Sequence, residues 1–174
     1  MLRILSLDIS ASTTGWAFTL STPNSKFKFG TIKTSPKITR AQRLVSYRND
    51  LIKTIDKLNP THIVIEDVYS GLNVKTLVLL AKFAGVTEEV CLSRARIEPY
   101  IIHTNTVKAY FKAKNKENLF DFILNIFSFN IEKFKFKTHN DITDSLAQLL
   151  CYCDNVLECR KFRDEKEYGY LYGV

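Results

Sequence analysis

No stretch of the 174-residue sequence approaches the ~20 consecutive apolar residues that a membrane-spanning helix needs, so a helical membrane protein is excluded. A secretory leader is not expected either. Met1-Leu2-Arg3-Ile4-Leu5-Ser6-Leu7 opens like one, but Asp8 breaks the run before it reaches signal length. Cysteine is scarce. Cys91, Cys151, Cys153 and Cys159 are too few and too irregularly spaced for a disulfide framework. On a helix Cys151 and Cys153 stand about 200° apart and cannot share one metal. They read as reduced, mostly buried thiols of a cytoplasmic protein. With only six glycines and four prolines there is no Pro/Gly-rich linker, and no internal repeat or low-complexity tract occurs. One domain is expected, spanning residues 1–153, with 154–174 as a tail or helical extension whose composition suggests no function.

The composition is that of a soluble folded chain, 45% hydrophobic and 25% charged. Lys and Arg number 25 against 18 Asp and Glu, a net charge of +7 that favours a polyanionic partner, nucleic acid first. Short β-branched or alternating runs predict strands near 4–9, 14–20, 26–32, 61–66 and 99–102. Helical periodicity predicts helices over 39–58, 73–92, from 106, over 116–127 and over 141–153, with Asn59-Pro60 ending the first. Strands alternating with helices argue for an α/β protein whose helices cover the sheet.

Two acids fall at strand ends, Asp8 after the first run and Glu66 after the fourth. In helix-covered sheets, functional sites gather at the carboxyl ends of strands. A third segment, His139-Asn140-Asp141-Ile142-Thr143-Asp144-Ser145-Leu146-Ala147-Gln148-Leu149-Leu150, reads as an amphipathic helix. Ile142, Leu146, Leu149, Leu150 and Cys153 form its apolar stripe, and Asp141 and Asp144 share the opposite, polar face. Read singly, Asp141 is a first-turn acid favoured by the helix dipole and Asp144 a solvated residue. Brought together, four carboxylates repel, by up to about 4 kcal/mol for a pair ~4 Å apart at an effective dielectric of 20. Divalent cations relieve that repulsion, and hard oxygen donors select Mg²⁺ or Mn²⁺. Two such ions can activate a water and stabilise the leaving oxygen of a phosphodiester.

Taken together, these segments resemble the RuvC-type Holliday junction resolvases of the RNase H-like (retroviral integrase) superfamily, from the N-terminus to about Cys153. Leu5-Ser6-Leu7-Asp8-Ile9-Ser10-Ala11-Ser12-Thr13-Thr14-Gly15-Trp16 is similar to the family's first strand and turn. Glu66-Asp67-Val68-Tyr69, with Asn73 and Ala84-Gly85, resembles its second acidic motif and the helix after it. Thr106-Val107-Lys108 resembles the segment with a basic residue near the scissile phosphate, and Asp141-Ile142-Thr143-Asp144-Ser145-Leu146-Ala147 the paired-acid helix.

The resemblance implies an RNase H-like fold, a mixed five-stranded sheet made of a three-strand meander plus parallel strands, with helices on both faces. It implies a Mg²⁺-dependent endodeoxyribonuclease acting on branched DNA, chiefly four-way junctions, with Mn²⁺ able to substitute and two ions per active site. Asp8, Glu66, Asp141 and Asp144 would be metal ligands and catalytic acids, and Lys108 would stabilise the attacked phosphate, with Lys116 a second candidate for that role. Tyr69 would stack on an unpaired base at the crossover. Tyr69, Asn73, Lys75, Lys108, Lys112, Lys114 and Lys116 would contact DNA, and His139 could carry a proton or ligate.

The segment from Val74 is apolar around most of its circumference (Val74, Leu77, Val78, Leu79, Leu80, Ala81, Phe83, Ala84). A helix there is either wholly buried or paired with a second subunit, and the resemblance implies a two-fold homodimer through residues 74–92. Lys75, Lys82, Arg94, Arg96, Lys108, Lys112, Lys114 and Lys116 interleave with Tyr69, Phe83, Tyr110 and Phe111, the composition of a nucleic-acid face. Two alternatives are disfavoured: a sugar-kinase or actin-like ATPase would need a second lobe for which 174 residues leave no room, and a non-catalytic branched-DNA module would need no clustered acids; another RNase H-like nuclease acting on hybrids, ribosomal RNA precursors, flaps or branches stays open.

Overall fold

The computed structural model describes residues 1–22, 25–68, 73–127, 129 and 133–159. In chain order the elements are β1 (Arg3–Asp8), β2 (Thr13–Leu20), β3 (Lys28–Lys33), α1 (Arg40–Leu58), β4 (His62–Glu66) and α2 (Val74–Val90). A π-helical turn over Cys91–Ala95 follows, then β5 (Tyr100–Ile102), α3 (Thr104–Phe111), α4 (Lys116–Ile126) and α5 (Phe136–Asn155). The sheet order is β3-β2-β1-β4-β5, with β1, β2 and β3 antiparallel and β1, β4 and β5 parallel. The meander and the parallel strands therefore meet at β1.

Alternation along each strand divides the core in two. Leu5, Leu7, Trp16, Phe18, Ile63 and Ile65 face α1 and α2, where Tyr47, Leu51 and Phe83 complete one cluster. Ile4, Ala17, Val64 and Ile102 face α3, α4 and α5, with Phe120, Ile123, Leu146 and Leu149. The same alternation turns Ser6, Asp8 and Glu66 toward α5.

Helix α1 begins with a reciprocal capping box. The Gln42 backbone N–H donates to Thr39 Oγ1 at 3.3 Å, while the Thr39 N–H donates to Gln42 Oε1 at 2.9 Å. It ends on Asn59 at φ 45°, just before Pro60. Helix α5 departs from expectation by starting at Phe136 rather than near 141. Its first turn is anchored by an aromatic contact, Phe136 edge-on to Phe120 at 5.4 Å, which local periodicity does not reveal. Asp141 is therefore not a first-turn acid. The expected polar face is also absent, because Ile142 through Cys153 are all buried between the sheet and α4.

Three aromatics assigned to a nucleic-acid face are core residues: Phe83 fills the α1–α2 cluster, and Tyr110 and Phe111 fill the other. Arg94 is engaged as well, in a two-pronged pair with Asp56 of α1 at 2.6 and 2.8 Å. The helix from Val74 is not wholly buried: Val74 is 74% exposed and Val78 47%. Cys91, Cys151 and Cys153 are buried and Cys159 is partly buried. The expected domain boundary at 153 falls inside the last turn of α5, and residues 160–174 lie outside the described set. Among the described residues, no helix is long and apolar enough to cross a membrane.

Candidate active site

Asp8 is the last residue of β1 and Glu66 the last of β4. The parallel register that pairs Leu7 with Ile65 brings the two carboxylates side by side at the carboxyl edge of the sheet. Across β1, Asp8 pairs with Gly15 of β2. Gly15 lets α5 come down onto the sheet at this point. A Cβ there would lie 1.9 Å from the backbone oxygen of Asp141, so only glycine permits the approach. Asp141 and Asp144, one helical turn apart, are delivered to the same place by that contact.

A pocket of about 410 Å³ opens over these residues, lined among others by Asp8, Glu66, Asp67, Asp141, Lys108 and Lys116. Asp144 lines a cavity of about 10 Å³ immediately behind it, with Glu66, Lys108, Lys116 and Gln148. Asp8 and Asp144 are 7% and 6% exposed, which is rare for aspartates without a countercharge. Burial, then the charges of Glu66 and Asp144, holds the Asp8 carboxyl well above its ordinary range. Burial raises Asp144 in the same way, although Lys116 pulls in the opposite direction. Asp141 is pushed up to about 6 by burial and by Asp144.

Lys116, at the start of α4, places Nζ 3.0 Å from Asp144 Oδ2. Burial would lower its pKa, but Asp144, Asp8 and Glu66 outweigh that and raise it. It is thus a partner of the acids themselves, a closer role than the DNA contact expected of it. Asn115 caps α4 by accepting from the Asn118 N–H at 2.8 Å, which places Lys116 at the pocket.

The remaining expected residues are more scattered. Lys108, on α3, lines the pocket. Lys112 and Lys114 are exposed between α3 and α4, and Lys75 lies on the exposed first turn of α2 beside Arg40 and Arg43. Asn73 caps α2, its side-chain oxygen accepting from the Thr76 N–H at 3.0 Å. His139 lies within α5, its Nδ1 accepting from the Lys135 N–H at 3.1 Å and its ring 4.9 Å from Phe134, and it does not line the pocket. The stacking role expected of Tyr69 falls outside the described residues.

Two residues that sequence reading passed over contact Glu66, and a third contacts one of those two. Thr104 Oγ1 donates to Glu66 Oε1. Gln148 Nε2 donates to Glu66 Oε2 at 3.0 Å, and Ser6 Oγ donates to Gln148 Oε1 at 3.2 Å. A signal existed for two of them. Gln148 follows Asp141 and Asp144 at i+7 and i+4 on one helix face, and Ser6 shares a strand face with Asp8. Asp67 also lines the pocket and is paired with His103 at 2.9 Å.

The sequence profile described as Crossover junction endodeoxyribonuclease RuvC matches residues 4–152. The RuvC of Finegoldia magna is 26% identical over 157 residues, covering 87% of this chain and 92% of that one. The RuvC of Caldicellulosiruptor saccharolyticus is 28% identical over 94 residues, 52% of this chain and 57% of its own length. In backbone shape the chain matches T. thermophilus RuvC, solved in complex with a Holliday junction substrate, at a TM-score of 0.70. The two are 14% identical and the match covers 87% of this chain and 93% of that one, so it speaks for the fold. Because the profile match runs through every strand and nearly all of the helix bearing Asp141 and Asp144, the chain belongs to the RuvC family of crossover junction endodeoxyribonucleases.

Proposed function

We propose that this chain is a metal-dependent endonuclease that resolves four-way DNA junctions, working in the cytoplasm as a two-fold dimer that makes paired nicks. The observation that carries the reading is the convergence, from three distant segments, of Asp8, Glu66 and Asp141 on one pocket and of Asp144 on the small cavity behind it, where the described lining holds two lysines, Lys108 and Lys116. Family membership supplies the reaction class.

A cation suits this donor set on charge. Four carboxylates against Lys108 and Lys116 leave an excess of negative charge in a partly buried place, where it is costly. Among the described residues no three acidic, histidine or cysteine side chains already stand as a coordination cage, and Asp144 contacts Lys116 instead. Asp8, Glu66, Asp141 and Asp144 are the residues that would hold Mg²⁺ or Mn²⁺, two ions when fully loaded. A bound divalent ion would supply Lewis acidity toward the phosphodiester and lower the pKa of the attacking water.

The chain's own groups do the rest. Thr104 and Gln148 hold Glu66 in one orientation. Lys108, lining the pocket, gives a phosphate a positive partner as charge develops on its oxygens. Lys116 favours the charged form of Asp144 against the burial that disfavours it. The exposed Lys75, Lys112 and Lys114 supply backbone contacts that position DNA without reading its sequence. The uncovered valines of α2 are where a second copy would sit, presenting two sites to a two-fold junction.

The test is cleavage of labelled four-way, three-way, flap, duplex and hybrid substrates with and without Mg²⁺, beside a binding titration against salt. Four-way junctions should be cut best and only with metal. If 6–10 phosphates are contacted, affinity should fall about 10³–10⁵-fold between 50 and 200 mM salt. Preferential cutting of hybrids would reassign the substrate, and a flat salt response would remove the nucleic-acid reading.

A further inference from the structure

Gln148 is 2% exposed, yet its side chain does no packing work that an apolar residue would not do better. Its neighbours on α5, Leu146, Leu149 and Leu150, build the core. Its amide instead joins two strands: Nε2 donates to Glu66 Oε2 of β4 at 3.0 Å, and Oε1 accepts from Ser6 Oγ of β1 at 3.2 Å. An amide can be turned end for end, and here the partners choose the orientation. Turned over, it would set its oxygen against the Glu66 carboxylate, and Ser6 would lose its acceptor. The ionised Glu66 carboxylate can only accept, so it decides which end of Gln148 meets it, and the fully buried Ser6 anchors the other end. Thr104 takes the other carboxylate oxygen, so both oxygens of Glu66 are tied by donors from different elements. The cavity at this point, about 10 Å³, has room for about one water, too little for solvent to substitute freely for the amide.

We infer that Gln148, anchored at its far end by Ser6, is a positioning residue that holds the Glu66 carboxylate in register with Asp8, so that the cation site is partly formed before any cation arrives. The inference rests on the metal-dependent reading above. An outer partner that orients a ligand contributes to metal affinity, and its loss typically weakens binding 10–100-fold. The ligand itself stays in place, so the chemistry at saturating metal is spared. Gln148→Leu keeps the approximate volume and helix propensity and removes both ends of the amide. Ser6→Ala removes only the donor that anchors the far end of the amide.

The experiment is a calorimetric titration with Mn²⁺ in the absence of DNA, on the parent, Gln148→Leu, Ser6→Ala and the double variant, each first checked for a cooperative melt. Junction cleavage is then followed against Mg²⁺ concentration. The expected result is a 10–100-fold weaker Mn²⁺ affinity for Gln148→Leu and a smaller loss for Ser6→Ala, with no further loss in the double variant. Half-maximal cleavage should need correspondingly more Mg²⁺, while kcat at saturation stays within a few-fold of the parent. Parental Mn²⁺ affinity in Gln148→Leu would overturn the inference. Should that variant fail to fold, parental affinity in Ser6→Ala would overturn it instead. A parent that binds no Mn²⁺ and cuts no junction would overturn the metal-dependent reading itself, an outcome distinct from a parent that binds and a variant that binds equally well.

Discussion

Helices α5 and α2 are inverted with respect to each other. α5 carries three aspartates and a glutamine, and it buries Asp144 and Gln148 in the middle of the protein. α2 is the more apolar of the two, and it leaves Val74 and Val78 in the open with Leu77, Leu79 and Leu80 half-covered. Each departs from the rule that charge faces water and aliphatic side chains face the core. Burying acids destabilises a fold unless something neutralises them, and exposing valines favours association with another surface. The difference teaches where to look for the two partners, a cation at α5 and a second copy at α2.

The largest effect should come from neutralising the acid that α5 buries deepest. Asp144→Asn keeps size and helix position, so the metal-free variant should melt at or slightly above the parent temperature, with Lys116 free to face Glu66 and Asp8. Junction cleavage should fall by more than the roughly 10–100-fold expected when only an outer partner of a ligand is lost. Junction binding in a gel shift should persist or tighten. Near-parental cleavage would break the assignment of α5 as the metal-bearing helix.

Next in size is the contact that seats α5. Gly15→Ala places a methyl 1.9 Å from the Asp141 backbone oxygen, a clash with main chain that no rotamer relieves. Overpacking costs about 1–3 kcal/mol where side chains can yield, so chemical denaturation should show a loss at or above that range. The surviving folded protein should bind Mn²⁺ poorly, because Asp141 has moved.

A smaller effect follows from pH. The Asp141 carboxyl is raised to about 6, and Asp8 and Asp144 are raised too, so the metal-free folded state binds protons more tightly than the unfolded chain. That contribution is fully present below the ordinary carboxylate pKa near 4 and is lost as pH rises through about 6. For the half-exposed Asp141 it amounts to on the order of 1 kcal/mol after solvent screening. The metal-free Tm should therefore fall between pH 5 and 7. Asp141→Asn should flatten that slope, and saturating Mg²⁺ at pH 7 should recover the loss. A Tm that rises over this interval would contradict the account.

The smallest effect on stability belongs to α2. Val78→Glu alters an exposed position and should change monomer stability by no more than about 0.5 kcal/mol. Sedimentation should nevertheless show dimer giving way to monomer, and paired nicking should decay to single nicks. An unchanged oligomeric state would leave the exposed valines without a partner.

Much of the fold could be read from the chain because the signals are local. The cap at Thr39, the stop at Asn59-Pro60 and the β-branched run ending in Glu66 each work through neighbouring residues. The acids at the ends of β1 and β4 were legible for the same reason. The start of α5 was not, because Phe136 is held by Phe120 from another helix. Phe83, Tyr110 and Phe111 looked like a stacking surface because composition does not say which side of a helix faces inward. Lys116 was underrated because its importance depends on α4 beginning beside Asp144, 28 residues away in sequence.

The sequence by itself determined the strands and helices, the alternation that turns Ser6, Asp8 and Glu66 to one side of the sheet, and the shared helix face of Asp141, Asp144 and Gln148. These follow from periods of 2 and 3.6 residues, which the chain carries in itself. Only the tertiary structure decided that the two sets meet. The depth at which α5 rests on Gly15 is set by contacts across the sheet, and so is the burial that raises the acids. The bonds from Thr104 and Gln148 to Glu66 join residues that are distant in the chain, and long-range packing alone puts them within reach of each other.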